Sequence, residues 1–393
     1  MIIFKKKILT PIAIILSFLN FPIISILRLS DLLILFKSLF NVRFYQSLII
    51  FSALMSVHLI SASRSGDLNF FWYAKFVITI AIYISVDQYV KTELNKSIIL
   101  LKLSLLIFIS WVYLKLALIS TGVLTGSLRA SFPTADYKIV DSHLYAQVLT
   151  ILGISYFMAT YLYADLKKPN VYIFVPIGLI WLLANILTSS RNGIAITFLA
   201  VFVLIVVTSF NVVTRSKLKM IYLRVFMMLA FLIIFLILFN FDMEKFADFK
   251  ALIDRALYSL SFNDPSTSGR IEELEMALFG FDDWTTLLGN SIFHGRIGFY
   301  DGIFTLSLQL FGILVTGLLI ITLLLFFVYL LIWKKLYLTV SIIIIYCLQN
   351  AISEFIFISR GAVFSLFAIL VVFYTEKEAL IRNLASNSLK KRG

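Results

Sequence analysis

Charge is scarce in this chain. Only 14% of its 393 residues are Asp, Glu, Lys or Arg, against 61% hydrophobic, whereas soluble domains carry about a quarter charged. The shortage excludes water as the main solvent, and the mean hydropathy of +0.99 agrees with that. Cysteine is almost absent. Cys347 stands alone, which excludes an intrachain disulfide, and its apolar neighbours make it a small core side chain rather than a reactive thiol. With three histidines and no Cys/His cluster, nothing supports a dedicated zinc site, and His143 beside Asp141 does not make one. Neither a GxGxxG loop nor a Walker A pattern occurs, so ATP hydrolysis and a nucleotide-sugar donor lack support, and no cofactor is expected.

What the chain has instead is long apolar runs. Val171–Leu187, Ile194–Phe210 and Ile221–Phe241 match the roughly 20 residues that a helix needs to cross a hydrocarbon core of about 30 Å. Lipid offers the backbone no hydrogen-bond partners, and the runs lack the alternation of a barrel strand, so helices are required. The fold class expected is an all-α integral membrane protein, with residues 1–393 forming a single polytopic membrane domain. Spans are expected near Ile8–Leu27, Leu29–Phe40, Phe44–Ser61, Phe70–Val86, Ser97–Ile119 and Leu144–Tyr163. The three runs named above follow, and then Ile303–Ile332, Leu336–Ile358 and Ala362–Tyr374, which makes about 12 transmembrane helices. Lys5, Lys6 and Lys7 before Ile8–Leu27 have the form of a signal peptide, but the long apolar run and the spans behind it read as a retained first helix.

Charge bias sets the orientation. Leu29–Phe40 holds Asp31 and Lys37 in a run that barely reaches across. Counted as a crossing, it places Lys5–Lys7, Arg43, Lys91, Lys96, Lys167, Lys168, Arg215, Lys217, Lys219, Arg224, Lys334, Lys335, Lys377, Arg382 and Lys390–Arg392 on one side. Short basic loops and tails face the cytoplasm, so both termini are expected there. The net charge of +13 resides mainly in these loops, so it serves topology. No basic face interleaved with aromatics is present to track nucleic acid.

The other side differs in kind. Its basic residues are Arg28, Arg64, Arg129, Arg191, Arg255, Arg270, Arg296 and Arg360, with only Lys138, Lys245 and Lys250. Topology needs any cation, whereas a guanidinium fork meets phosphate oxygens two at a time. An anionic, phosphate-bearing ligand at the outer face is the functional reading, and snorkelling or pairing with carboxylates is the structural one. Two loops stand out there, 242–302 as a large one and 121–143 as a smaller one, and long loops in compact proteins carry function. In the larger, Ser268 is placed to cap a helix that starts near Arg270, with Glu272 and Glu273 in its first turn. Ile271, Leu274, Leu278 and Phe279 recur at helical spacing, which predicts an amphipathic helix lying on the membrane or over the site.

These features, in this order, resemble the O-antigen polymerase (Wzy-type) and O-antigen ligase superfamily, which assembles bacterial surface polysaccharide on polyprenyl diphosphate carriers. Thr188-Ser189-Ser190-Arg191-Asn192-Gly193 is similar to that superfamily's Ser-Arg-Gly-type turn. Ser268-Gly269-Arg270, with a helix and then Leu287-Leu288-Gly289-Asn290, resembles the first part of its large outer loop. Asp301-Gly302-Ile303-Phe304, with Leu308, Gly312 and Gly317, resembles the return where the ligases carry a His-Asn pair. Here that pair is Asp301-Gly302, with His294 displaced upstream, and the departure favours a polymerase. Arg129, in Gly126-Ser127-Leu128-Arg129-Ala130-Ser131-Phe132-Pro133, completes the set.

The resemblance implies a GT-C-like glycosyltransferase architecture. It also implies inverting transfer between undecaprenyl-diphosphate-linked oligosaccharides at the periplasmic face, for O-antigen and lipopolysaccharide or related polysaccharide biosynthesis. Arg191 and Arg270, then Arg129, Arg296 and Arg360, are the diphosphate-binding candidates. Asp301, or His294 nearby, is the candidate general base, and a helix-capping carboxylate is the bland reading of Asp301. Glu354, six residues before Arg360, and His143 are secondary candidates, Glu354 being expected to pair with an arginine. Membrane lipids and a chain-length regulator protein are the implied partners. Two alternatives stay open: a ligase that transfers glycan to lipid A core, and a transporter or flippase of an anionic lipid-linked substrate, although no clear internal repeat supports the latter.

Overall fold

The computed structural model describes residues 2–19, 28–50, 70–121, 142–163, 303–352 and 359–390, with 52, 56, 177–178, 180–185, 188, 197, 275 and 287 besides. Its elements are all helices: α1 Ile2–Leu19, α2 Leu29–Ser38, α3 Val42–Ile50, α4 Phe70–Thr92, α5 Leu94–Ser120, α6 Ser142–Tyr163, α7 Ile303–Val328, α8 Tyr337–Ile352 and α9 Ser359–Lys390. A single wider turn, Tyr329–Trp333, extends α7. Among the described residues, Leu94–Leu118 and Gly312–Trp333 are long and apolar enough to cross a membrane, and α2 with α3 makes a third if the bent pair is one span. Ile8–Leu19, Leu144–Thr160 and Tyr337–Asn350 are shorter apolar helices. These are the helices of an all-α membrane protein. The expected spans 171–187, 194–210 and 221–241 fall largely or wholly outside the described residues, as do most of the loops 121–143 and 242–302.

The structure departs from the sequence expectation at Leu29–Phe40. Helix α2 has ten residues, a rise of about 15 Å, half of the roughly 30 Å core. It then bends by 101° into α3, the geometry of a broken span or a re-entrant loop. Its charges explain the short length. The Asp31 carboxylate accepts the Arg28 backbone N–H at 3.1 Å and so closes the first turn, while Lys37 sits in the last turn, where a cation suits the helix dipole. The Lys37 ammonium is buried and donates to Thr10 Oγ1 of α1 at 2.5 Å and to the Ser85 carbonyl of α4 at 3.1 Å. Ser38 donates to the Ala81 carbonyl at 3.0 Å and meets Ser85 Oγ at 2.8 Å. Polar contacts therefore tie α1, α2 and α4 together where apolar packing alone has little drive in lipid.

A second departure is in α7. The expected run Ile303–Ile332 is broken at Gly312, whose φ of 68° and ψ of −178° interrupt the helix. Only glycine takes that backbone without strain. Beyond the break, Leu318, Leu319, Ile321, Leu324 and Leu325 are exposed, as befits a helix facing hydrocarbon.

Helix α9 runs on past the expected crossing to Lys390. There Glu376 is buried and accepts the Leu338 N–H at 2.9 Å, the Thr339 N–H at 2.8 Å and the Thr339 hydroxyl at 2.7 Å. The first turn of α8, whose N–H groups lack partners within their own helix, is thus satisfied by a carboxylate from α9. Burial raises the Glu376 carboxyl above its usual range, while those hydrogen bonds pull it down.

The chain gathers into two compact units. One comprises residues 1–89, 261–335 and 347–366, and the other residues 90–260, 336–346 and 367–393.

Candidate functional site

Arg129, Arg191, Arg270, His294, Arg296, Asp301 and Glu354 lie outside the described residues. His143 and Arg360 lie on described backbone, each as the second residue of its helix, α6 and α9. Helix α7 begins at Ile303, two residues after Asp301. Three candidates therefore stand at or beside helix starts, where free N–H groups and the helix dipole favour anions. Among the described residues no cluster of His, Cys, Asp and Glu is arranged to hold a metal, and Cys347 is half-buried.

The described residues nearest to Arg191 in sequence are 180–185, 188 and 197, in the same compact unit as α5 and α6. Helices α5 and α6 pack together: the Tyr145 hydroxyl donates to the Phe108 carbonyl at 2.5 Å, and their rings lie 4.9 Å apart. The helical residues at 180–185 pack on α6, and the Ile180 carbonyl accepts the Tyr113 hydroxyl of α5 at 3.2 Å. Trp181, 1% exposed, donates its indole N–H to the Leu149 carbonyl at 2.9 Å and lies 5.5 Å from the Phe157 ring. Gly153 makes the approach possible, since a Cβ there would meet the indole at 2.1 Å. Asn185 lies against Thr150, and Trp181 against Leu149, Gly153 and Phe157, so the segment runs antiparallel to α6. Asn185 therefore lies nearer than Trp181 to the end of α6 that His143 begins.

The interior is polar there. Gln147, Thr150, Asn185, Thr188 and Thr197 are all buried. Thr150 Oγ1 lies 3.0 Å from Asn185 Oδ1 and 3.0 Å from Thr197 Oγ1, and Asn185 Nδ2 donates to the Trp181 carbonyl at 3.2 Å. The Thr188 hydroxyl and N–H both return to the Asn185 carbonyl, at 2.6 Å and 3.2 Å, and finish the helical turn. His143, Gln147 and Thr150 stand at positions i, i+4 and i+7, the register of one helix face. None of Thr150, Asn185 and Thr197 stood out in the sequence. The available signal was a lone amide or hydroxyl within an otherwise apolar run, the pattern of interhelical hydrogen bonding.

No family model matches the chain, and no curated protein or solved structure matches it either.

Proposed function

We propose that the chain is a polytopic glycosyltransferase of the bacterial inner (cytoplasmic) membrane, with both termini cytoplasmic. It joins undecaprenyl-diphosphate-linked oligosaccharide repeat units into O-antigen or a related surface polysaccharide at the periplasmic face. The observation that carries this reading is the asymmetry of its cations. Lysine dominates the loops assigned to the cytoplasm, whereas arginine dominates the opposite side and falls in short stretches resembling those of the O-antigen polymerases.

In the reaction proposed, a hydroxyl oxygen of one lipid-linked unit attacks the anomeric carbon of another. The bond from that carbon to the diphosphate oxygen breaks, and its electron pair leaves with the carrier diphosphate. The hydroxyl proton passes to Asp301, with His294 as the second choice. Charge grows on the leaving diphosphate in the transition state. Guanidinium groups already in place, from Arg191 and Arg270 first and Arg129, Arg296 and Arg360 after them, lower the barrier more than they tighten substrate binding.

Purified protein given lipid-linked repeat units in detergent is expected to lengthen the glycan, a result that vectorial transport cannot produce. Arg191→Ala and Arg270→Ala are each expected to lose at least ~100-fold in rate while remaining inserted. Wild-type chain length in both variants would remove the assigned role of those arginines, and transfer only to a lipid A core acceptor would make the enzyme a ligase.

A further inference from the structure

Helix α2 is amphipathic the wrong way round for water. Its buried residues are Ser30, Asp31, Ile34, Lys37 and Ser38, at positions i, i+1, i+4, i+7 and i+8, which share one face. Four of the five are polar. The outward face carries Leu29, Leu32 and Phe36, with Leu39 and Phe40 just past the last turn, each more than a third exposed. Water would oppose both faces of such a helix. Hydrocarbon suits both, because the polar groups turn inward to protein partners while lipid takes the leucines. Helix α2 therefore belongs among the acyl chains.

Its own composition does not put it there. Ten residues are half of a crossing helix, and on the scale of helix insertion one ionised group offsets several leucines. Asp31 and Lys37 stand against Leu29, Leu32, Leu33, Ile34, Leu35 and Phe36, so residence in the bilayer depends on what receives the polar face. Asp31 closes the first turn of α2 itself through the Arg28 N–H. Lys37 is answered from outside the helix. Its ammonium donates to Thr10 Oγ1 of α1 and to the Ser85 carbonyl of α4, neutral oxygens of two neighbouring helices in the same compact unit. Ser38 adds its bond to the Ala81 carbonyl and its contact with Ser85 Oγ. Helix α3 has a separate tie to α4, the Arg43 guanidinium meeting Asp87 at 3.8 Å, so α2 is a distinct piece joined to α3 by the 101° bend. We infer that Lys37 makes α2 a docked segment of the membrane domain. It stays in the bilayer while α1 and α4 receive that ammonium, and it withdraws to the membrane surface when the seat is spoiled. The inference is independent of the proposed chemistry.

Cys347 is the chain's one thiol, so Cys347→Ser with Phe36→Cys places a single reporter on the outward face of α2. A thiol among acyl chains does not ionise and reacts slowly with a water-soluble maleimide. Its labelling rate in full-length protein, in opened membrane vesicles that the reagent reaches from both sides, therefore reports whether α2 is docked. Ser85→Leu fills the seat, Ser85 being 1% exposed, and the rate is expected to rise at least ~tenfold. Adding Lys37→Met removes the charge that must be received, so α2 stays in lipid and the rate returns to within about twofold of the reference. Lys37→Met alone should leave the reference rate unchanged to about the same margin. A rate that Ser85→Leu does not move overturns the inference. So does a double variant that labels as fast as Ser85→Leu, because spoiled packing and not the ammonium then decides. If Ser85→Leu does not accumulate in membranes, Thr10→Val keeps the shape and removes one acceptor. It should raise the rate by about threefold or more and be rescued by Lys37→Met in the same way, an unchanged rate again counting against docking.

Discussion

Among the described residues, the two helices long and apolar enough to cross a membrane are built for different neighbours. In Leu94–Leu118, Leu101, Leu105 and Phe108 are buried, and Phe108 stacks on Tyr145 of α6. In Gly312–Trp333, most of the large apolar side chains are exposed, Leu325 by 65% and Ile332 by 66%. Both runs are strongly apolar, yet one spends part of its apolar atoms on protein and the other presents them outward. The contrast teaches that in lipid an apolar face does not tell which helix has a partner. Hydrocarbon is as good a neighbour for leucine as another leucine.

The paired glycines make the sharpest test of that contrast. Gly153→Val would drive a branched side chain into the Trp181 indole, and the loss of stability is expected to exceed ~3 kcal/mol, read as absence of folded protein in detergent. In α7, Gly317 faces open space, so Gly317→Ala should stay within about 1 kcal/mol of the native protein, leaning to stabilisation. Equal losses at the two positions would dissolve the distinction.

Cavity formation comes next. Leu101→Ala removes a wholly buried side chain and should cost ~2–5 kcal/mol, followed by denaturant titration in mixed micelles. A smaller effect, ~1–3 kcal/mol, is expected when Glu376→Ala strands the α8 donors. That site also responds to pH. Because burial raises its carboxyl, the fold favours the neutral form. This contribution is complete below the carboxyl's unfolded value and lost as pH rises through the raised folded value. The stability of the native protein relative to Glu376→Gln should therefore decline with rising pH across that window. The smallest change belongs to the outward face, where Leu324→Ala is expected to cost under ~0.5 kcal/mol in bilayers at any pH.

Much of the helical layout was legible. The expected Ser97–Ile119 and Leu144–Tyr163 meet α5 at Leu94–Ser120 and α6 at Ser142–Tyr163, because unbroken runs of about 20 apolar residues admit few alternatives in lipid. Leu29–Phe40 was harder. Asp31 and Lys37 read as blemishes within a crossing, whereas they occupy the first and last turns of a short helix. Gly312 could not be told from any other helical glycine until its φ was known. The expected span Ala362–Tyr374 lies within α9, which continues to Lys390, and beyond the span Glu378 pairs with Arg382 one turn along and Glu376 turns inward to α8. The candidate arginines came from side and residue type alone. The Thr150 contacts stayed hidden because their members are spread over the sequence from 150 to 197, and single polar residues in apolar runs carry no mark of which other one they meet.

The seating of Trp181 has an optical consequence. An indole enclosed by protein, with its N–H held by a carbonyl, should emit toward the blue and ignore quenchers carried on lipid tails. Trp333, 76% exposed at the end of α7, should be dimmed by brominated acyl chains. Variants retaining one or the other tryptophan would thus report separately on the protein interior and on the surrounding bilayer, without any added dye.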